Sequence, residues 1–235
     1  MSRCWKCFRA IDYCYCTTLI KRPTNTEFIF LMHPKEARKQ KTGTGRLSHI
    51  ILPNSQLLIG ISFENDPILQ DRLNDPKRLC YLLYPGKNSF PIDNLEVDYQ
   101  SSPNTPRSII LIDGTWPCAK KMMRLTPSIH SIPRWSFTQL IQSEFRIKQQ
   151  PMKGFLSTIE ACYHLLLNLE KRNIETSSKN THELKRALEI LVKQQVDCAN
   201  DPLLPSYRKS NYKKSEERKE SKKWEKRSII FRDDK

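Results

Sequence analysis

Residues 108–125 read Ser-Ile-Ile-Leu-Ile-Asp-Gly-Thr-Trp-Pro-Cys-Ala-Lys-Lys-Met-Met-Arg-Leu, and the fold is decided there. Ile109, Ile110, Leu111 and Ile112 form an unbroken apolar run, β-branched except at Leu111, as in a strand buried on both faces. Asp113, Gly114, Thr115, Trp116 and Pro117 then break the run. Gly114 permits a tight or left-handed turn, and Pro117 suits the first position of a helix. Ala119, Met122, Met123 and Leu125 give that helix an apolar stripe. A carboxylate, a hydroxyl and an indole therefore meet where a buried strand passes into a helix. In open α/β sheets, ligands bind at that end of the strands. Asp113 and Thr115 also suit plain helix capping, but capping does not explain Trp116, which seldom sits in a tight turn without something to stack on.

Working outward, residues 27–33, 55–61 and 78–84 read as further core strands, with 131–137 as a short one. Helices are predicted over 35–41, 67–74, from 157 to about 172, and over 181–199, where Leu184, Ala187, Leu188 and Leu191 share a face. Residues 42–46 read as a small-residue loop that can bring backbone N–H groups and hydroxyls to an anionic or polar ligand. It leads into an amphipathic stretch over 47–52. His33 reads as a satisfied strand-end histidine. Residues 87–106 are polar and proline-rich, a surface excursion with 94–97 as an edge piece, and 143–151 is a basic loop or irregular strand. Ser157 and Glu160 have the spacing of a capping box. Strands alternating with helices over short links predict an α/β fold, a mostly parallel sheet with flanking helices.

The net charge of +15 over 235 residues points to a phosphate-rich partner, nucleic acid first. Residues 205–235 carry 12 Lys or Arg against 6 Asp or Glu, a basic and apolar-poor tail that reads as flexible. The body is basic as well. No apolar run approaches the roughly 20 residues of a membrane span, and the amino terminus lacks the apolar core of a secretory signal. A cytoplasmic protein without a membrane partner is expected, with its cysteines reduced.

Cys4, Cys7, Cys14 and Cys16 fall in a C-x2-C-x6-C-x-C cluster, while the other four cysteines are scattered singly. Four thiolates at such spacing complete the tetrahedral shell of a structural zinc. Arg3, Lys6 and Arg9 with Trp5, Phe8, Tyr13 and Tyr15 give this knuckle a basic, aromatic surface that suits RNA. The same aromatics also suit a small core of the knuckle's own.

These stretches together resemble the DTW-domain family. The resemblance is carried by the four clustered cysteines, His33-Pro34-x-Glu36, Thr42-x-Thr44-Gly45-Arg46-Leu47, Asp113-Gly114-Thr115-Trp116, Pro133-Arg134 and Leu156-Ser157-Thr158-x-Glu160-Ala161. It covers residues 1–170 in order, and departs at Gly43, where the family has Asn. It implies a tRNA-uridine aminocarboxypropyltransferase that moves the 3-amino-3-carboxypropyl group of S-adenosylmethionine to N3 of a uridine. It also implies a SPOUT-like, knotted core over residues 25–204, between an N-terminal zinc knuckle over 1–24 and the tail.

On this reading Asp113, Thr115 and Trp116 serve the chemistry. Gly114, Thr44, Gly45, Leu156, Ser157, Thr158, Glu160 and Arg146 hold the cofactor, and Arg46 and Arg134 take cofactor or tRNA phosphate. A monomer is favoured. A zinc-knuckle RNA-binding protein without catalysis, an enzyme acting on ribosomal RNA, and an RNA methyltransferase are the competing expectations.

Overall fold

The computed structural model describes residues 2–39, 43–86, 88–94, 104–138, 141–145, 147 and 156–201. Six strands form one sheet: β1 (Glu27–Met32), β2 (Ser55–Ile59), β3 (Leu79–Leu83), β4 (Ser89–Pro91), β5 (Arg107–Asp113) and β6 (Arg134–Ser136). The helices are α1 (Pro34–Lys39), α2 (Thr44–Ile51), α3 (Pro67–Asn74), α4 (Trp116–Arg124), α5 (Thr158–Lys171) and α6 (His182–Asn200). The sheet order is β2-β1-β5-β3-β6-β4, and every pairing is parallel. The expected α/β class with a parallel sheet is what forms.

Both faces of the central strands are covered, which is why they read as continuous apolar runs. Phe28, Phe30, Ile109 and Leu111 pack with residues of α2, α5 and α6. Ile29, Leu31 and Ile110 pack on the other face against Leu69 of α3 and Met122 of α4. Burying each such side chain stabilises the fold by about 1.5–3 kcal/mol. Leu184, Ala187, Leu188 and Leu191 are all in the core, as their spacing predicts.

Three expectations change. Residues 55–61 are not a buried strand: β2 is an edge strand, with its last residue Ile59 exposed and Ile61 exposed just beyond it. The excursion contributes an edge strand at Ser89–Pro91, earlier than expected, and 95–97 lie outside the described residues. The predicted loop over 42–46 is already helical from Thr44, with Gly43 as the N-cap. The tail and most of 143–151 also lie outside the described residues.

The cysteine knuckle is joined to this body. Cys4, Cys7, Tyr15 and Leu19 share one apolar cluster with α2, α5 and α6. The Arg22 N–H donates to the Ile51 carbonyl, and its buried guanidinium pairs with Glu170 at 2.8 Å. Ile20 donates to the Glu183 carboxylate at 2.9 Å. Removing one member of such a buried pair costs about 3–5 kcal/mol.

Candidate active site

β1 and β5 are neighbours whose outgoing connections part. The chain leaves β1 through α1 and α2 to reach β2 on one side; it leaves β5 through α4 to reach β6 beyond β3 on the other. Adjacent parallel strands with diverging exits open a crevice at their carboxyl ends, the switch point at which such sheets bind ligands. Met32 pairs with Asp113 at that end of the sheet, and the His33 N–H donates to the Asp113 carbonyl at 2.9 Å.

Asp113 is buried, and two helices begin against it. The Thr158 hydroxyl, at the first position of α5, donates to Asp113 Oδ1 at 2.6 Å. Gly45, in the first turn of α2, lies so near that a Cβ there would stand 2.5 Å from Oδ2 and 2.6 Å from Cγ. Helix N-termini carry partial positive charge and unpaired N–H groups, so both favour a negative group between them. Cys162 lies close behind on α5. Burial, with the charge of Asp113 adding to it, raises its thiol pKa above the usual range, so it stays neutral there.

α4 starts directly after the aspartate. Trp116 is its first residue, one position before the Pro117 that was expected to open it. Thr115 occupies the N-cap position, yet its side chain makes no capping hydrogen bond and is exposed. Thr115 therefore provides no side-chain cap, and one Asp113 oxygen is bound by another helix. Trp116 packs on Tyr84, with ring centroids 5.8 Å apart and tilted by 52°. The sequence marks Tyr84 only as a strand end, and its place immediately before Pro85-Gly86 is the one local signal of a site role. Gly114 adopts no left-handed conformation, and a Cβ there would meet its nearest neighbours at 3.4 Å, so the turn does not demand glycine.

Ser157 and Glu160 form the predicted capping box at the start of α5. The Glu160 carboxylate is also engaged elsewhere. It accepts from the Ser157 N–H at 2.8 Å, the Ser157 hydroxyl at 2.6 Å, the Glu144 N–H at 2.6 Å and the Ser143 hydroxyl at 2.9 Å. This carboxylate ties the segment at 143–144 to the helix that holds Asp113. Thr44 is buried beside Gly45, and Leu156 half-buried before the box. Arg134 lies near Gly86, beyond the end of β3. Arg146 lies outside the described residues.

His33 behaves as expected of a satisfied strand-end histidine. Its Nδ1 accepts from the Lys35 N–H at 3.1 Å, capping α1. Burial lowers its pKa, and nearby Lys35 adds to the effect. An accepting Nδ1 on a neutral ring leaves the proton on Nε2.

The four clustered cysteines have their sulfur atoms within 4.8 Å of one another, with Cys4–Cys16 at 3.9 Å and Cys7–Cys14 at 3.8 Å. A disulfide would need about 2.05 Å. A tetrahedral ion with metal–sulfur bonds of about 2.3 Å spaces its sulfurs by about 3.8 Å, so this cluster fits a metal ion. The backbone N–H of Cys7 is the main influence that draws the Cys4 thiol down to about 6, toward the thiolate form that binds metal. The knuckle's other side chains sort clearly. Tyr15 is buried with the Arg9 guanidinium 4.8 Å over its ring, whereas Trp5 is 77% exposed with Lys6 at 5.0 Å.

A polar cleft of about 450 Å³ lies near the amino-terminal ends of β1 and β5, lined by Glu27, Asn54, Arg72, Arg78 and Thr105 among others. Its charges already answer one another: Glu27 accepts from Arg72 at 2.9 Å, Arg78 at 3.2 Å and the Ser108 hydroxyl at 2.7 Å. The network ties α3 to the sheet, while the switch point lies at the opposite ends of the strands.

The sequence matches the model of the DTW domain over residues 1–196. It is similar to a Drosophila melanogaster protein named tRNA-uridine aminocarboxypropyltransferase 2, at 32% identity over 83% of this chain and 76% of that one. Proteins of the same name from Macaca fascicularis and Mus musculus are each 32% identical over 72% of this chain, which spans 57% of their length. No solved structure matches.

Proposed function

The chain belongs to the DTW domain family, and from that premise we propose that it transfers the 3-amino-3-carboxypropyl group from S-adenosylmethionine to N3 of a uridine in tRNA. The observation that carries this reading is Asp113, held between the first turns of α2 and α5 at the switch point of the sheet. The names of the similar fly, macaque and mouse proteins support the reaction class.

The S-adenosylmethionine co-substrate supplies an electrophilic carbon beside a sulfonium. The new bond joins uracil N3 to that carbon as the carbon–sulfur bond breaks. The bonding pair passes to sulfur, methylthioadenosine leaves, and the N3 proton passes to the Asp113 carboxylate. The residues fit this task. The bare Cα of Gly45 lets the first turn of α2 close against the carboxylate, where a methyl group would clash with Oδ2. Thr158 fixes the other oxygen, so the base is oriented before substrate arrives. Tyr84 and Trp116 offer an aromatic wall for a planar base. No side chain caps α2 or α4 among the described residues, so their first N–H groups suit an amino-acid carboxylate.

In the same reading the four-cysteine cluster holds zinc as a closed, structural shell, and the basic surface takes tRNA phosphates. The SPOUT-like, knotted core belongs to it too, on the strength of the family membership. No described helix is long and apolar enough to cross a membrane. A cytoplasmic monomer, with the knuckle, catalytic domain and tail divided near residues 24 and 204, completes the proposal.

The test supplies unmodified tRNA with S-adenosylmethionine labelled in the methyl group or in the carboxyl carbon. Carboxyl label alone entering RNA is the expected result. Methyl label alone would make the protein a methyltransferase, and neither label despite RNA binding would leave a zinc-knuckle binding protein.

A further inference from the structure

Phe8 stands out in the knuckle. It follows Cys7 directly, and its N–H donates to the Cys4 carbonyl at 2.8 Å, closing a turn between two of the clustered cysteines. Its backbone has φ of 58°, the left-handed region that a bulky residue adopts only when its surroundings impose it. The ring is not in the core, being 43% exposed. One face of it meets the Arg46 guanidinium, whose carbon lies 4.2 Å from the ring centroid.

Arg46 follows Gly45 in the first turn of α2, the turn that touches Asp113. Burial lowers its pKa while the charge of Asp113 pulls back, so the two groups lie within electrostatic reach. The guanidinium stays cationic at any working pH. One of its N–H groups reaches the Ala37 carbonyl at 3.4 Å, and no other described residue accepts from the rest. A half-buried cation with spare donors, at a helix N-terminus beside the catalytic carboxylate, is built to take an anion.

We propose that Phe8 is a positioning residue, whose ring holds the Arg46 guanidinium beside Asp113 so that Arg46 binds an anionic group of the substrates. The inference rests on the transferase reading and deepens it: the cysteine knuckle becomes part of the active site. The anion is a carboxylate of S-adenosylmethionine or a phosphate of tRNA, and separate measurements tell them apart.

The full chain is prepared as parent, Phe8→Ala, Phe8→Leu, Phe8→Trp, Arg46→Gln and the Phe8→Ala/Arg46→Gln double variant. Metal per chain, melting temperature, and affinity for S-adenosylmethionine and for tRNA are measured apart from turnover. Phe8→Ala is expected to keep its metal and melting temperature while one affinity falls about tenfold, the scale of a partly desolvated cation–π contact. Phe8→Trp restores that affinity, Phe8→Leu does not, and the double variant binds no more weakly than Arg46→Gln alone. Loss toward S-adenosylmethionine identifies the carboxylate, and loss toward tRNA the phosphate. Parent affinities in Phe8→Ala, rescue by Leu, or additive losses in the double variant overturn the proposal. A parent that transfers no label defeats the transferase reading, while the affinities still decide the Phe8–Arg46 coupling.

Discussion

A methyl group on Gly45 would stand 2.5 Å from Asp113 Oδ2, so the first turn of α2 and the end of β5 come together only because residue 45 has no side chain. Gly45→Ala must push back a buried carboxylate that Thr158 already holds. Overpacking of this kind costs about 1–3 kcal/mol. Thermal unfolding is expected to show that loss, with transfer falling at least about a hundredfold, the cost of misplacing a reacting group by about 1 Å.

Asp113→Asn keeps the shape of the side chain and removes its basicity. Transfer is expected to fall by about 10²–10⁴, the usual worth of a positioned base, with the melting temperature little changed. Thr158→Val removes the hydroxyl that donates to Oδ1. A hydrogen bond to a charged group contributes about 1.5–3 kcal/mol, so a loss of roughly ten- to a hundredfold is expected in single-turnover rates.

Cys4→Ser breaks a four-sulfur shell that shares its apolar cluster with the body. Metal content measured by mass spectrometry should fall, and the melting temperature with it. Chelator applied to the parent should do the same. Full metal retention in the variant would contradict the closed-shell assignment.

Burial lowers the pKa of His33, His49 and His164, so the folded chain prefers all three rings neutral. The sign follows from linkage: stability is complete above the unfolded value of about 6.5, and declines as pH falls through the lower folded values. Denaturant midpoints should therefore drop on the acid side of pH 6.5. His33→Asn can still cap α1 and takes up no proton, so part of the decline should vanish in that variant.

Trp5 is exposed and packs only beneath Lys6 among the described residues. Trp5→Ala should change stability by no more than about 0.5 kcal/mol. A base stacked on an aromatic side chain contributes about 1–3 kcal/mol, so tRNA affinity should fall roughly five- to a hundredfold at fixed salt. Parent-like affinity in a gel-shift titration would remove Trp5 from the RNA surface.

Much of this was legible in the chain. The strand, turn and helix around Asp113, the four-cysteine cluster and the capping box of α5 are all local. Each depends on residues a few positions apart, where periodicity, turn chemistry and ligand spacing act directly on neighbouring atoms. The loop expected at 42–46 shows the limit of such reading. Gly45 has poor helix propensity, yet α2 includes it because packing against Asp113 leaves room for nothing larger. The edge strand β2 could not be told from a buried strand either, since its place at the edge follows from sheet order.

By itself the sequence determined the α/β class, the metal-ligand spacing and the aspartate at a strand end, because each is written in the spacing of near neighbours. Tertiary structure alone decided that β5 lies between β1 and β3, and so which groups meet the aspartate. Gly45 and Thr158 reach one carboxylate from distant parts of the chain. Strand order is set by hydrogen bonding and burial across the whole sheet, and no local pattern carries that information.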